Sequence, residues 1–402
     1  MSNYSKVQFI SWELYTGPFK NPADTPQGFY NGLSSSTVDF RTDVLGQCWD
    51  IEARLAFIAD AIAKAYASAD LSSSTLKIFM APEFLCRGAG GAYLHDLLNG
   101  WVGPAPSSFA LPAPFNYAWD GLFGGLQALA ADARYEDFLF VFGTMISASF
   151  PTAEAIDGQY LLDPTKPGEV YNTALIQRGG VSHTADNYAA RKQYISGIDF
   201  LKWSGSVAQH TYHTVLPADP EAVIPADVLG VTEGGAVFQI AGLNDVNGAV
   251  IDFGIEICLD HALSGGSRAN RFGRLRTANQ WVKIQLVPSG GMGLYPDSIR
   301  LLPAAGPTPH AYAFNCDGYT TLDSKVFGSH TQIWNGANGA KVPAANKLIE
   351  VSGGESRSGT TLTAVTNSVL TRNGEVLASQ LWNNGNGVQG AGHVRVINAM
   401  PL

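Results

Sequence analysis

Three short stretches of the chain each bring a reactive side chain to the end of an apolar run: Ile78-Phe79-Met80-Ala81-Pro82-Glu83-Phe84, Ala190-Arg191-Lys192-Gln193 and Gly254-Ile255-Glu256-Ile257-Cys258-Leu259-Asp260. Between them they carry a carboxylate, an ammonium and a thiol. A cysteine attacks an acyl carbon and divides one difficult hydrolysis into two easier steps, provided that a base takes its proton or a nearby cation stabilises the thiolate. Glu83 is the candidate base, and the Lys192 ammonium is expected to favour the thiolate of Cys258. The oxyanion formed on the attacked carbon needs fixed positive charge and backbone donors, for which Lys192 and the amide of Leu259 are candidates. This set suffices for acyl transfer from nitrogen to water.

At these residues the chain resembles the nitrilase superfamily, the carbon–nitrogen hydrolases with a Glu-Lys-Cys triad. The run ending in Pro82-Glu83 is similar to that family's strand ending in Pro-Glu, Arg191-Lys192 to its Arg-Lys element, and Gly254 to Asp260 to its Gly-x-x-Ile-Cys-x-Asp nucleophile turn. The three occur in the family's order. Shorter likenesses are Tyr171-Asn172-Thr173-Ala174, Leu286-Val287-Pro288-Ser289, Phe314-Asn315-Cys316-Asp317-Gly318 and Gly328-Ser329-His330-Thr331. The resemblance implies that Glu83, Lys192 and Cys258 are catalytic, with Leu259, Asp260, His261 and Ser289 as candidate oxyanion or substrate-binding residues. It also implies an α/β fold, a single four-layer α-β-β-α sandwich of the nitrilase type with two central sheets, often assembled as a homodimer or higher homo-oligomer.

Two departures bear on the substrate. Many family members carry a second glutamate that assists the lysine, but the matching segment here reads Gly143-Thr144-Met145-Ile146-Ser147-Ala148, leaving Glu154 or Glu169 as substitutes. After the nucleophile turn the chain continues His261-Ala262-Leu263-Ser264-Gly265-Gly266, where the family often has an aromatic or arginine followed by Pro-Glu. The Cys-x-Asp of Cys258 and Asp260 is more similar to amide- or carbamoyl-cleaving branches than to nitrile-cleaving ones, which often have Cys-Trp-Glu. The expectation is therefore hydrolysis of an amide or carbamoyl substrate through a cysteine thioester. A nitrilase proper and a catalytically silent scaffold are the alternatives.

Composition narrows the partners. With 25 basic against 34 acidic residues, a net charge of −9 and no long basic run, the chain is not suited to nucleic acid or an anionic membrane surface. A small neutral or cationic molecule fits better. Cys48, Cys86, Cys258 and Cys316 form no Cys-x-x-Cys pair, and His210 and His213 stand apart from other ligand types, so no metal site is indicated, nor any cofactor. Gly88 to Gly91 opens no obvious helix, which weighs against a phosphate cradle. The start of the chain lacks a charged segment followed by an apolar core, and no stretch approaches the roughly 18 apolar residues of a membrane span, so a soluble cytoplasmic protein is expected.

The elements that must hold these residues are legible in the first two thirds. Lys6 to Trp12 reads as a strand. In Cys48 to Ala67 the apolar residues Ile51, Leu55, Ile58 and Ile62 recur at four, three and four, one stripe of a helix facing a sheet. A strand over Leu76 to Met80, a helix over Trp119 to Arg134 and a strand over Phe138 to Gly143 follow, the alternation of an α/β sheet with crossover connections. Further strands are expected at Val170 to Arg178, Gly235 to Ala241, Val250 to Glu256 and Val282 to Val287. Ligands of such sheets collect at the C-terminal ends of strands, where Glu83 and Cys258 fall. Insertions relative to the family are expected at about 13–45, 86–118, 150–168 and 203–232, with Cys86 to Ser108 as pocket wall. The chain divides into a hydrolase domain at 1–345 and a C-terminal extension at 346–402, read as hairpins or an arm packed on the domain or on a partner subunit.

Overall fold

The structure is a computed structural model and describes residues 2–17, 44–88, 91–149, 152–154, 160–162, 168–194, 199, 215–217, 235–264, 272–303, 310–318, 330–336, 348–350, 359–382 and 390–402. His210, His213, the side chains of Glu154 and Glu169, the boundary at 345 and most of the expected insertions at 13–45, 150–168 and 203–232 lie outside the described residues.

Helices and strands alternate through the first half: β1 (Lys6–Glu13), α1 (Val44–Ser68), β2 (Thr75–Met80), α2 (Gly121–Ala130), β3 (Phe138–Ser149), then β4 (Gly168–Arg178) and β5 (Asn187–Arg191). The principal strands of the second half are β6 (Val237–Phe238), β7 (Phe253–Ile255), β8 (Ile284–Ser289), β9 (Tyr312–Asp317), β10 (His330–Asn335), β11 (Leu348–Glu350), β12 (Thr360–Ala364) and β13 (His393–Ile397). They form two main sheets, ordered β5-β4-β3-β2-β1-β13-β12 and β6-β7-β8-β9-β10-β11. β1, β2 and β3 are parallel in the first sheet, as are β7, β8 and β9 in the second, and antiparallel strands flank both sets. Parallel neighbours require a crossover, and α1 and α2 stand between β1, β2 and β3 in the chain for that reason. The protein is thus a mixed α/β chain with several sheets and few helices.

Side-chain alternation assigns the two faces of the first sheet. Phe138, Phe140 and Phe142 of β3 pack toward α1, joining Ile51, Phe57, Ile58 and Ile62 in one core. Leu139 and Val141 point the other way, into a second core shared with Phe9, Ile78 and Met80 of the first sheet and Ile255, Leu286 and Phe314 of the second. Phe9 lies against Phe314 at 4.7 Å between ring centroids, so the sheets meet face to face. The far face of the second sheet carries Val287, Ala313 and Trp334, covered by Leu294, Ile299 and Leu301 of an irregular segment. Among the described residues no long helix lies in that layer.

A buried polar clamp joins the sheets at one corner. Arg395 of β13 donates from Nε to Glu13 Oε1 at 2.6 Å and from Nη2 to Oε2 at 3.1 Å, and Thr331 of β10 donates to the same carboxylate at 2.8 Å. The described part of the C-terminal region therefore enters the first sheet beside β1. A second buried arginine, Arg54 of α1, donates to the carbonyls of Leu85 at 2.7 Å and Arg87 at 2.9 Å and is held by Asp50 at 2.7 Å. It pins the segment just beyond Glu83. That segment is tied down further where Cys86–Arg87 and Tyr93–Leu94 pair with the later half of β3, so the expected pocket wall is an extension of the sheet. Among the described residues no helix is long and apolar enough to cross a membrane.

Candidate active site

Glu83 follows β2, Lys192 follows β5, and Cys258 follows β7, each just past the C-terminal end of its strand. The strand directions agree, and the facing of the two sheets brings the three ends together. Backbone contacts fix each one. The Glu83 amide donates to the Ser289 carbonyl at 3.2 Å across the sheets, and Thr16 donates to the Glu83 carbonyl at 2.5 Å. The Lys192 amide donates to the Asn172 carbonyl at 2.9 Å. Cys258 opens a 3-10 turn over Cys258–His261 with φ at +49°, and Phe84 beside Glu83 has φ at +64°. Non-glycine residues in this left-handed region are uncommon and strained, and here both flank the same pocket.

The ionised groups are dry and close. Lys192 Nζ lies 2.8 Å from Glu83 Oε1, which also accepts from Asn172 Nδ2 at 2.9 Å. Both side chains are almost completely buried, at 1% and 0% exposure. Glu83 Oε2 receives no closed hydrogen bond, and the Cys258 thiol is the group that faces it. Burial raises the proton affinity of Glu83 and outweighs the attraction of Lys192. Burial works against the Lys192 charge as well, but Cys258, Glu83 and Asp199 together hold the ammonium above its ordinary range.

The nucleophile does not rest as the expected thiolate. Burial and then the Glu83 charge push the Cys258 thiol well up, and the Lys192 ammonium and a hydrogen bond from the Gly290 amide offset this only in part. A buried thiol beside a carboxylate of raised proton affinity is arranged for proton transfer on attack rather than for a standing ion pair. Cys258 is 4% exposed, whereas Cys48, Cys86 and Cys316 are at 0%.

The remaining sequence candidates surround this centre with their polar atoms engaged by the protein. The Asp260 carboxylate accepts from the amides of Gln193 at 2.9 Å and Tyr194 at 2.8 Å, fixing the segment after Lys192, and from Arg274 at 3.4 Å. Burial pushes this carboxyl up to about 6 despite the Arg274 guanidinium. The His261 ring lies between Glu256, 2.5 Å from Nδ1, and the Tyr295 amide, which donates to Nε2 at 3.1 Å. Nδ1 therefore carries the proton, and the ring is held in place by both nitrogens. Ser289 donates to the Met292 carbonyl at 2.5 Å and accepts from Asn315 at 2.9 Å. The Leu259 amide follows Cys258 directly in the 3-10 turn.

Sequence reasoning missed three participants. Asp199 places its Oδ1 and Oδ2 at 2.8 and 2.7 Å from Lys192 Nζ, supplying a second carboxylate that no motif announced. Asn172 was visible only as part of a likeness, not as the anchor of Glu83. Gly290 had a usable signal, since a glycine closing a strand marks close approach of backbone. A Cβ there would lie 2.8 Å from Phe84 Cε2 and 3.1 Å from Glu83 Oε2. The Phe84 ring cannot retreat freely, because Arg87 stacks on it at 3.7 Å. Gly290→Ala is therefore expected to cost about 1–3 kcal/mol by overpacking, read by denaturant unfolding. Parent-like stability in that variant would show that the backbone here yields and that the contact is unimportant.

No protein-family model matches the chain, and no curated protein matches it. Among solved structures the chain is similar to the crystal structure of an N-terminal amidase in which a cysteine is replaced by serine, at 12% identity and a TM-score of 0.30. The alignment covers 71% of this chain and 48% of that one, so the chain spans about half the length of the amidase structure.

Proposed function

We propose that the chain is a carbon–nitrogen hydrolase of the nitrilase superfamily, with the four-layer form of that fold, acting on a small amide or carbamoyl substrate. The observation that carries this reading is the meeting of Glu83, Lys192 and Cys258 in one buried pocket, with Lys192 Nζ 2.8 Å from Glu83. Three residues far apart in the chain and drawn from three ordered motifs have no shared structural reason to converge there.

The chemistry follows from the positions. Glu83 Oε2 takes the thiol proton as Sγ attacks the carbonyl carbon, and the C=O pair moves to oxygen. Lys192 Nζ and the Leu259 amide hold the resulting oxyanion, donors that are worth most in a dry site. Glu83 returns its proton to the nitrogen, the C–N bond breaks, and amine leaves a thioester on Cys258. Glu83 then takes a proton from water, which attacks the thioester. The acid departs, and the proton passes back to sulfur. Because burial raises the proton affinity of Glu83, that residue can both accept and return the proton near neutral pH.

Intact-mass spectrometry with product analysis, after exposure to panels of amides, carbamoyl compounds and nitriles, tests the proposal. The expected result is an acyl or carbamoyl adduct on Cys258 with release of amine or ammonia. Turnover of nitriles in preference to amides would reassign the reaction. An adduct on Cys86, or no reaction with any panel, would overturn the reading.

A further inference from the structure

We infer that Asp199 is a positioning residue of this site, which clamps the Lys192 ammonium and by its own charge keeps the proton on Cys258 until Glu83 removes it. The inference rests on the roles given above to Glu83, Lys192 and Cys258.

The geometry uses up the ammonium. Lys192 Nζ has three N–H donors, and three carboxylate oxygens lie around it: Glu83 Oε1 at 2.8 Å, Asp199 Oδ1 at 2.8 Å and Asp199 Oδ2 at 2.7 Å. The Asp199 side chain is fully buried, like that of Glu83, and the Lys192 side chain is 1% exposed. Asp199 thus prevents Nζ from turning away from Glu83. It also changes the charge balance of the pocket. One ammonium facing one carboxylate would be neutral. One ammonium facing two leaves a net charge of −1 in a site with little water to screen it.

Two proton-binding groups feel that excess. The charged groups facing Cys258 among the described residues are Glu83, Lys192 and Asp199, with the Asp260–Arg274 pair next along the turn. Asp199 raises the proton affinity of both Glu83 and Cys258, adding to the larger effect of burial on each. A carboxylate that binds protons more tightly is the better base toward a thiol. Keeping the thiol protonated at rest also protects it from adventitious alkylation and oxidation, which proceed through the thiolate.

The test is the pH dependence of Cys258 carboxamidomethylation, followed by peptide mapping in the parent, Asp199→Asn and Asp199→Glu. An asparagine oxygen still accepts from Lys192 while the charge is gone. The reactivity midpoint of Cys258 is therefore expected to fall by about one pH unit or more in Asp199→Asn, the size of effect a single close charge produces. Asp199→Glu, which restores the charge, is expected to return it to the parent value. If the asparagine variant does not fold, Asp199→Ser carries the same expectation. A parent-like midpoint in Asp199→Asn, or one displaced to higher pH as a released Lys192 would produce, overturns the role of Asp199 and leaves the proposed function standing. A parent Cys258 that reacts no faster than Cys48, Cys86 and Cys316 at any pH overturns the proposed function itself.

Discussion

Cys258→Ala is expected to abolish hydrolysis of the amide or carbamoyl substrate, since loss of a covalent nucleophile costs on the order of a millionfold in kcat. The reason lies in the division of labour at the site. Glu83 and Lys192 are engaged with each other and with Asn172 and Asp199, and neither offers a nucleophile in place of sulfur. The fold should survive, because the substitution deletes one small atom and leaves the left-handed backbone at 258 no worse for alanine than for cysteine. Turnover of the parent and the variant on the same substrate, with thermal unfolding of each, makes the check. Undiminished turnover in the alanine variant would remove Cys258 from the mechanism.

Lys192→Met should harm both activity and stability, an uncommon combination for one site residue. On the catalytic side it removes the charged oxyanion donor, a loss of about a hundred- to a thousandfold, and it also frees Glu83 from its partner. On the stability side it leaves the buried carboxylates of Glu83 and Asp199 facing each other without the intervening cation, which typically costs about 3–5 kcal/mol. The sign of the pH dependence follows. Without the ammonium both carboxyls bind protons more tightly in the folded state than in the unfolded chain, so folding favours their protonated forms. The deficit should therefore be small below the ordinary carboxylate range and grow as pH rises toward neutrality. Denaturant unfolding of parent and variant at acid and at mildly alkaline pH measures this directly. A deficit that is absent at alkaline pH, or that grows toward acid, would mean that the two carboxylates do not share this cation.

Much of the local structure was legible before any coordinates. The stripe of Ile51, Leu55, Ile58 and Ile62 lies within α1 because a 3.6-residue period leaves few other uses for such spacing. The apolar runs before Glu83 and Cys258 become buried strands, and the ends of those strands mark where side chains of any chemistry would gather. Elsewhere the period was too short to read. The expected strand at Gly235 to Ala241 contracts to Val237–Phe238, and the helix expected to reach Arg134 ends at Ala130, followed by a 3-10 turn at Ala133–Tyr135. The Gly/Ser/Thr/Asn-rich tail read as an appendage in part because its alternation is weak. Its β13 nevertheless enters the first sheet, where Arg395 meets Glu13 from 382 positions away.

The amino-acid sequence by itself determined which side chains can do chemistry here and the order in which the chain presents them, because those depend on residue type and on short spacing alone. Only the tertiary structure decided what each of them is. Asp199 becomes a partner of Lys192 through the packing of one segment onto another, which no local pattern encodes. His261 becomes a fixed support because Glu256 and the Tyr295 amide hold both of its nitrogens. Cys258 rests as a thiol rather than a thiolate because charge is costly where water is excluded, and burial is a property of the assembled sheets rather than of any residue in them.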